Sequence, residues 1–183
     1  MKSFTKNNIR LRAPEPSDID LLYEWENDPE IWPVGNIQLP YSRHAIEQFV
    51  HTAEPDIYQL RQARWMIDRM AGEEKETIGT IDLFDFNPRN LRIGIGILIK
   101  KEAHRRQGHA SDALALILEY CFTVLNVNQV YCNIPETNTP SILLFKKHHF
   151  TITGARKEWI REGDAWITEL FLQLLKSEYT SHL

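Results

Sequence analysis

The stretch Arg105–Ala110, with the sequence Arg-Arg-Gln-Gly-His-Ala, has the residue types of an anion-binding turn. It follows an apolar run, Ile93–Ile99, and precedes a segment with apolar residues at three-four spacing. Gly108 lets the backbone approach a ligand closely. Where a helix begins, several backbone N–H groups have no acceptor within the helix, and the helix dipole favours negative charge. The sequence therefore predicts an anion-binding site at this turn, most often used for phosphate.

The elements that hold this turn follow from hydrophobic periodicity. The run Ile93–Ile99 is β-branched and ends in charge at Lys100 and Lys101, which predicts a buried strand. Apolar residues at helical spacing predict a long amphipathic helix after the turn, formed by Ala110, Ala113, Leu114, Ile117, Leu118, Cys121, Phe122 and Leu125. The glycines form neither G-x-G-x-x-G nor G-x-x-x-x-G-K-S/T, so a nucleotide-binding protein of those two classes is disfavoured.

Several motifs in register resemble the GNAT N-acetyltransferases. Arg105-x-x-Gly108-x-Ala110 matches the family signature Arg/Gln-x-x-Gly-x-Gly/Ala, which cradles the pyrophosphate of acetyl-CoA. Asp82–Ile99 resembles the family's central hairpin, Gln129–Asn133 its next strand, and Asn138–Phe150 its N-x-x-A/S-I-x-x-Y/F-x-K-x-G-F element. The resemblance spans Ile9 to Leu174 and is closest to the branch of ribosomal-protein N-terminal and spermidine acetyltransferases.

The resemblance implies acetyl-CoA as cosubstrate, no covalent acyl-enzyme, and direct attack by the acceptor within one ternary complex. It places the pantetheine arm along the backbone of Ile97, Leu98 and Ile99. The predicted pyrophosphate site consists of Arg105, Arg106, Gln107, Gly108, His109 and Ala110. Asn138 and Phe145 complete the predicted CoA-binding residues, and Asn138, which precedes Thr139-Pro140, is equally expected as a helix cap.

Two positions depart from the family pattern. Phe145 stands where the family often has a tyrosine as general acid, and Gly94 stands where its branch commonly has a glutamate that helps to bind or deprotonate the acceptor. The remaining catalytic candidates are Asp82, Asp85 and Tyr131. The structural alternatives for the aspartates are surface exposure or an ion pair with Arg89 or Arg92, and the alternative for the tyrosine is packing. His, Cys and carboxylate side chains lack metal-site spacing, so no metal is expected.

Composition describes one ordinary globular domain over residues 1–183. Hydrophobic residues make up 43% of the chain and charged residues 25%. The net charge of −4 and the lack of a basic stripe disfavour nucleic acid as a partner. No stretch has the length and apolarity of a membrane span or a signal peptide, and Cys121 and Cys132 fall within predicted elements, which favours a cytoplasmic protein with reduced thiols. A homo-oligomer is left open.

The order of the predicted elements indicates an α+β fold. A single strand-helix-strand crossover among runs of strands predicts a mixed, mostly antiparallel central sheet with helices on both faces. The resemblance adds a splayed cleft for acetyl-CoA. The expected acceptor side comprises Trp32–Tyr58, the central hairpin, and the final strand pair around Trp159 and Trp166, with carboxylates that include Glu54. Its aromatic faces suit ammonium groups.

The function predicted from these observations is acetyl transfer to a primary amine. A small molecule is preferred over a peptide N-terminus as the acceptor. The alternative is a non-catalytic acyl-CoA-binding or regulatory module, which is motivated by Phe145 and Gly94.

Overall fold

The computed structural model of the protein describes residues 4–30, 39–51 and 56–180. They belong to two compact units, one comprising Ala13–Asp56 and the other Met1–Arg12 together with Ile57–Leu183. A single domain over residues 1–183 remains a prediction from the sequence.

The strands in chain order are β1 (Thr5–Lys6), β2 (Ile9–Arg12), β3 (Ala63–Ala71), β4 (Glu74–Asn87), β5 (Arg92–Ile99), β6 (Gln129–Pro135), β7 (Thr151–Glu162) and β8 (Ala165–Leu175). The α-helices are α1 (Ile19–Glu26), α2 (Arg43–His51), α3 (Ile57–Leu60), α4 (His109–Thr123), α5 (Thr139–Lys147) and α6 (Lys176–Thr180). Short 3-10 turns occupy Pro16–Asp18 and Glu102–His104.

The eight described strands form one sheet in the order β1-β2-β3-β4-β5-β6-β8-β7. Each neighbouring pair is antiparallel except β5 and β6, which are parallel because α4 carries the chain across between them. The predicted mixed, mostly antiparallel α+β fold is therefore confirmed.

Strands β5 and β6 stay together for only three residue pairs. Their parallel pairing joins Arg92–Gly94 to Gln129–Tyr131. Beyond this point β5 pairs with β4 as far as Ile99, while β6 pairs with β8 as far as Pro135. Among the described pairings, none joins Ile95–Ile99 to β6, so the sheet opens into a V whose closed end is the rung of Gly94 and Tyr131. This opening is the predicted splay.

The core of the larger unit lies between one face of this sheet and α4. The helix buries the apolar stripe that the sequence predicts, including Ala113, Leu114, Ile117 and Leu118. Facing it, Ile93 and other β-branched residues of the central strands are inaccessible to solvent. Because both sides of this contact are apolar, each at its own periodicity, α4 packs against the sheet along its buried stripe. The turn that precedes α4 is bonded to the end of β5 at Ile99.

The smaller unit carries α1 and α2, which contact each other. Leu22 and Trp25 of α1 and Ile46 and Val50 of α2 are buried. The Ser42 hydroxyl accepts a hydrogen bond from the Ala45 N–H at 3.1 Å, which caps the start of α2.

Candidate active site

Arg105 ties the turn between β5 and α4 to the end of the strand. Its Nε donates to the carbonyl of Ile99 at 3.0 Å, and its Nη2 donates to the carbonyl of Lys100 at 3.1 Å. Gln107 reinforces the turn through a hydrogen bond from its side-chain amide to the Ala103 carbonyl. The guanidinium of Arg105 therefore fixes the loop where β5 ends, a role that the sequence did not predict for it.

Gly108 sets the geometry at the start of α4. It is the N-cap residue with φ of +88°, in the left-handed region that glycine adopts at low cost, and no side chain caps the helix there. A Cβ built at Gly108 would meet nothing within 4 Å. The first α-helical hydrogen bond runs from the N–H of Asp112 to the Gly108 carbonyl at 3.0 Å. The N–H groups of His109–Ser111 precede it, so they have no acceptor within the helix and can meet an anion.

Glu76 of β4 binds side chains of the same turn and of the neighbouring strand β3. Lys101 Nζ lies 3.0 Å and His104 Nε2 lies 3.1 Å from its Oε1, and Arg69 Nη2 lies 3.3 Å from its Oε2. Hydrogen bonds from Lys101 and then His104 lower the pKa of Glu76 to about 2. Sequence reasoning missed this anchor because β-strand register, which it cannot supply, brings Glu76 to the turn.

His109 contributes its backbone to the site and keeps its side chain inside. The residue is 5% exposed, and its Nε2 is buried without a hydrogen-bond partner among the described residues. Burial, followed by the charges of His104 and Arg69, lowers the pKa of His109. The ring therefore stays neutral near pH 7 and adds no positive charge to the turn.

A second histidine joins the first turn of α4 to the end of α5. The Oγ of Ser111 and the Nε2 of His148 lie 2.8 Å apart. Burial, followed by the charge of Lys147, lowers the pKa of His148 to about 4. Helices α4 and α5 are thereby linked by a neutral hydrogen bond, which the sequence did not reveal.

The ring of Phe84 fills the space beside Gly94. A Cβ at Gly94 would lie 2.3 Å from Cε2 of Phe84, so this position has no room for a side chain unless the ring moves. Phe84 and Gly94 face each other in the β4–β5 register. The glutamate that the family resemblance led us to expect here would therefore clash with the ring of Phe84.

Tyr131 and Asp85 meet on this same face. Tyr131 pairs with Gly94 at the closed end of the V, and its hydroxyl donates to Oδ2 of Asp85 at 3.3 Å. Its ring lies edge-on to Phe84 at 5.9 Å and stacks on Phe171 at 5.4 Å. Burial, followed by the charge of Asp85, raises the pKa of Tyr131 to about 12, which keeps the hydroxyl protonated.

The other predicted site residues occupy structural positions. Asp82 pairs with Arg64, with Oδ1 2.6 Å from Nε and Oδ2 3.2 Å from Nη2, because the β3–β4 register sets the two residues opposite each other. The predicted partners of Asp82, Arg89 and Arg92, were therefore wrong. The side-chain oxygen of Asn138 caps α5 by accepting from the N–H of Ser141 at 3.2 Å.

Phe145 lies in the hydrophobic core. It is 1% exposed and meets Phe150 edge-to-face at 5.0 Å. Ile97, Leu98 and Ile99 are half-buried along the open edge of β5, in contrast to the fully buried Ile93 and Ile95. The predicted CoA-binding residues on β5 and in the turn therefore border the V, whereas Phe145 packs inside.

The predicted acceptor surface is described only in part. Trp32 and Glu54 lie outside the described residues. Tyr58 packs edge-on against Phe86 at 5.2 Å. Trp159 is 60% exposed, with the Arg156 guanidinium 5.3 Å from its ring centre, and Trp166 is 58% exposed.

Within residues 4–30, 39–51 and 56–180, no three His, Cys, Asp or Glu side chains are grouped as metal ligands would be. None of the described helices combines the length and apolarity needed to cross a membrane.

Comparisons with known proteins agree with this geometry. Residues 8–151 match the model of the acetyltransferase (GNAT) domain. An uncharacterized N-acetyltransferase, p20 of Bacillus licheniformis, is 27% identical over 191 residues, covering 98% of this chain and 99% of the relative. The spermidine N(1)-acetyltransferase of Escherichia coli (strain K12) is 23% identical over 148 residues, covering 81% of this chain and 75% of the relative.

Among solved structures, the spermidine N-acetyltransferase from Vibrio cholerae in complex with CoA and spermine shares the fold, with a TM-score of 0.82 at 22% identity. The match covers 96% of this chain and 99% of that one. Since the family model spans well over half of the sequence, the chain belongs to the GNAT family of acetyltransferases.

Proposed function

We propose that this acetyltransferase moves the acetyl group of acetyl-CoA directly to the primary amine of a small molecule. The observation that carries the proposal is the parting of β5 and β6 beside the uncapped start of α4. A V in the sheet offers a backbone edge to an extended chain, and the adjacent helix terminus offers N–H groups to a phosphate. A pantetheine arm joined to a pyrophosphate has this combination of shapes and charges.

The donor is held by the residues that border the V. The backbone of Ile97, Leu98 and Ile99 binds the pantetheine arm, and the amides of Gln107–Ala110 bind the pyrophosphate. Arg105 keeps the turn in place through its bonds to the end of β5, and the exposed Arg106 adds positive charge beside it. Asn138 fixes the start of α5 beyond the open V and contacts the CoA arm.

The transfer needs few reactive side chains. The acceptor ammonium first loses a proton to solvent, and the neutral nitrogen then attacks the thioester carbonyl carbon. A C–N bond forms as the C–S bond breaks, and the leaving sulfur takes up a second proton released from the nitrogen. Holding both reactants together supplies much of the acceleration of such a reaction. Phe145 contributes packing to this site, since a phenyl ring has no proton to donate.

A small acceptor is supported by the relatives that acetylate spermidine and by the face beside Gly94. The E. coli relative is a spermidine acetyltransferase, and the aromatic rings of Phe84, Tyr131 and Phe171 form a wall suited to a cation. Membership of the acetyltransferase family favours this enzyme over the non-catalytic module. Cys121 and Cys132 are both buried and free, which supports the proposed cytoplasmic location.

The test is a steady-state screen of acetyl-CoA consumption with spermidine, an aminoglycoside, a short peptide with a free N-terminus, and a simple alcohol. We expect turnover with at least one small amine and none with the alcohol. Turnover with the peptide alone would overturn the small-molecule assignment. Calorimetric binding of acetyl-CoA without turnover on any amine would instead support the module.

A further inference from the structure

Asp85 lies in a strained part of β4 directly beside the closed end of the V. The β4–β5 register shifts between Phe84 and Asn87, and Asp85 within this bulge has φ of +51°. A bulge re-aims the side chains that it carries, and left-handed backbone at a residue with a side chain costs energy. Strained, re-aimed residues of this kind concentrate at functional sites. The side chain of Asp85 is also exposed, so a ligand can reach it.

The bulge aims Asp85 across β5 at a residue of β6. Tyr131 and Asp85 belong to strands that are separated by β5, yet their side chains meet at 3.3 Å. Gly94 of the intervening strand has no side chain, and the ring of Phe84 occupies that space. The Tyr131 hydroxyl donates its hydrogen bond to Asp85, so the tyrosine oxygen keeps lone pairs that can accept from another donor, as does the carboxylate.

The surroundings of this pair fit a cation. Aromatic rings of Phe84 and Phe171 flank Tyr131 at 5.9 and 5.4 Å. Of the nearby positive groups, Arg156 is paired with Glu169 at 2.7 Å, while Arg92 is exposed at the start of β5. A carboxylate oxygen and a phenol oxygen thus meet beside aromatic rings at the closed end of the V.

We propose that Asp85 and Tyr131 bind the ammonium group of the acceptor. The inference rests on the proposed function and names its acceptor class, a primary alkylamine that arrives as a cation. The carboxylate holds the charge, the tyrosine oxygen accepts an N–H hydrogen bond, and Phe84 covers the remaining side. The pair takes over the ammonium recognition for which Gly94 offers no side chain.

The experiment compares Asp85→Asn and Tyr131→Phe with the wild-type enzyme, using butylamine and spermidine as acceptors. Asparagine tolerates left-handed backbone, so Asp85→Asn keeps the bulge, and Tyr131→Phe keeps both ring contacts. Glu74→Gln is the matched control, because Glu74 is an exposed carboxylate at the far end of β4. A thermal melt of each variant checks that it is folded.

We expect Asp85→Asn to lower kcat/KM for the amine by about 10–100-fold, which is the loss expected for a charged hydrogen bond. The KM for acetyl-CoA should change by less than about 2-fold, because the substitution does not touch the donor site. Tyr131→Phe should lower kcat/KM for the amine by about 3–10-fold, and the control should leave it unchanged.

If the wild-type enzyme is active and the folded Asp85→Asn variant has the same amine kinetics, the ammonium site is overturned while the proposed function stands. Equal effects on the amine and on acetyl-CoA would also overturn it, since they indicate a structural role. A wild-type enzyme that turns over no amine would overturn the proposed function first.

Discussion

Replacing Gly108 with alanine has two effects that can be measured apart, a loss of stability from the strained backbone and a loss of acetyl-CoA affinity at the turn. An alanine at φ of +88° costs the folded state about 1–2 kcal/mol, because left-handed backbone brings Cβ close to the carbonyl. For a chain of this length, that corresponds to a fall in Tm of about 2–8 °C. The new Cβ would touch no protein atom within 4 Å, so packing adds nothing to this cost. It would instead project into the open space in front of the α4 N-terminus.

In the proposed binding mode, the methyl group stands where the pyrophosphate approaches the backbone N–H groups. Losing one charged hydrogen bond costs about 1.5–3 kcal/mol, so we expect the KM for acetyl-CoA to rise about 10–100-fold. Gly72→Ala and Gly163→Ala are matched controls, since both glycines have positive φ (65° and 61°) and neither has an atom within 4 Å of a built Cβ. All three variants should lose similar stability in urea unfolding. If Gly108→Ala raised KM no more than the two controls do, the anion site would not lie at this turn.

Three further substitutions test other parts of the site. Glu76→Gln should raise the KM for acetyl-CoA about 3–10-fold with little change in kcat, because a carboxamide binds Lys101 and His104 less strongly. Since the pKa of Glu76 is lowered to about 2, the stabilisation from its charge is present above about pH 4.5 and is lost as the pH falls towards 2. Thermal melts of the variant should therefore show a smaller loss of stability with acid than those of the wild type. The native His148, with its pKa of about 4, stays neutral between about pH 6.5 and 4, whereas the histidine of the unfolded chain binds a proton there. His148→Gln should therefore reduce the fall in stability over this range. A pH dependence of the urea midpoint equal to that of the wild type would contradict this. Phe145→Tyr should lower stability by about 1–3 kcal/mol in urea unfolding, because the hydroxyl enters an apolar core, and it should not raise kcat; a faster and equally stable variant would place the ring at the thioester instead.

Hydrophobic periodicity was sufficient to predict the central elements of the fold. The β-branched run Ile93–Ile99 and the three-four pattern after Ala110 specify a strand and a helix that must pack on each other, and the structure has both within a residue or two. The turn between them followed from the same reasoning, because a strand, a glycine and a helix start leave N–H groups that only an external partner can satisfy. These features depend on neighbours in the sequence.

Contacts that depend on strand register were beyond the reach of the sequence. Glu76 meets Lys101 and His104, and Asp82 meets Arg64, only because β3, β4 and the turn come side by side. The expected pairing of Asp82 with an arginine nearer in sequence was wrong for this reason. The β4–β5 pairing shifts at the bulge that carries Asp85, and no residue pattern in β4 predicts such a shift.

Most of the side-chain positive charge at the turn is already engaged within the protein. Arg105 is bound to the end of β5, Lys101 and His104 are held by Glu76, and His109 is buried with its pKa lowered. An anion that reaches the turn therefore meets chiefly backbone N–H groups, with Arg106 exposed beside them. Fixed backbone donors need no ordering of long side chains on binding, so a pre-formed turn can bind phosphate without that entropic cost. Only substitution by proline removes a backbone donor, and proline also perturbs the backbone. Gly108, with its φ of +88° at the start of α4, is therefore the position at which the proposed anion site is best tested.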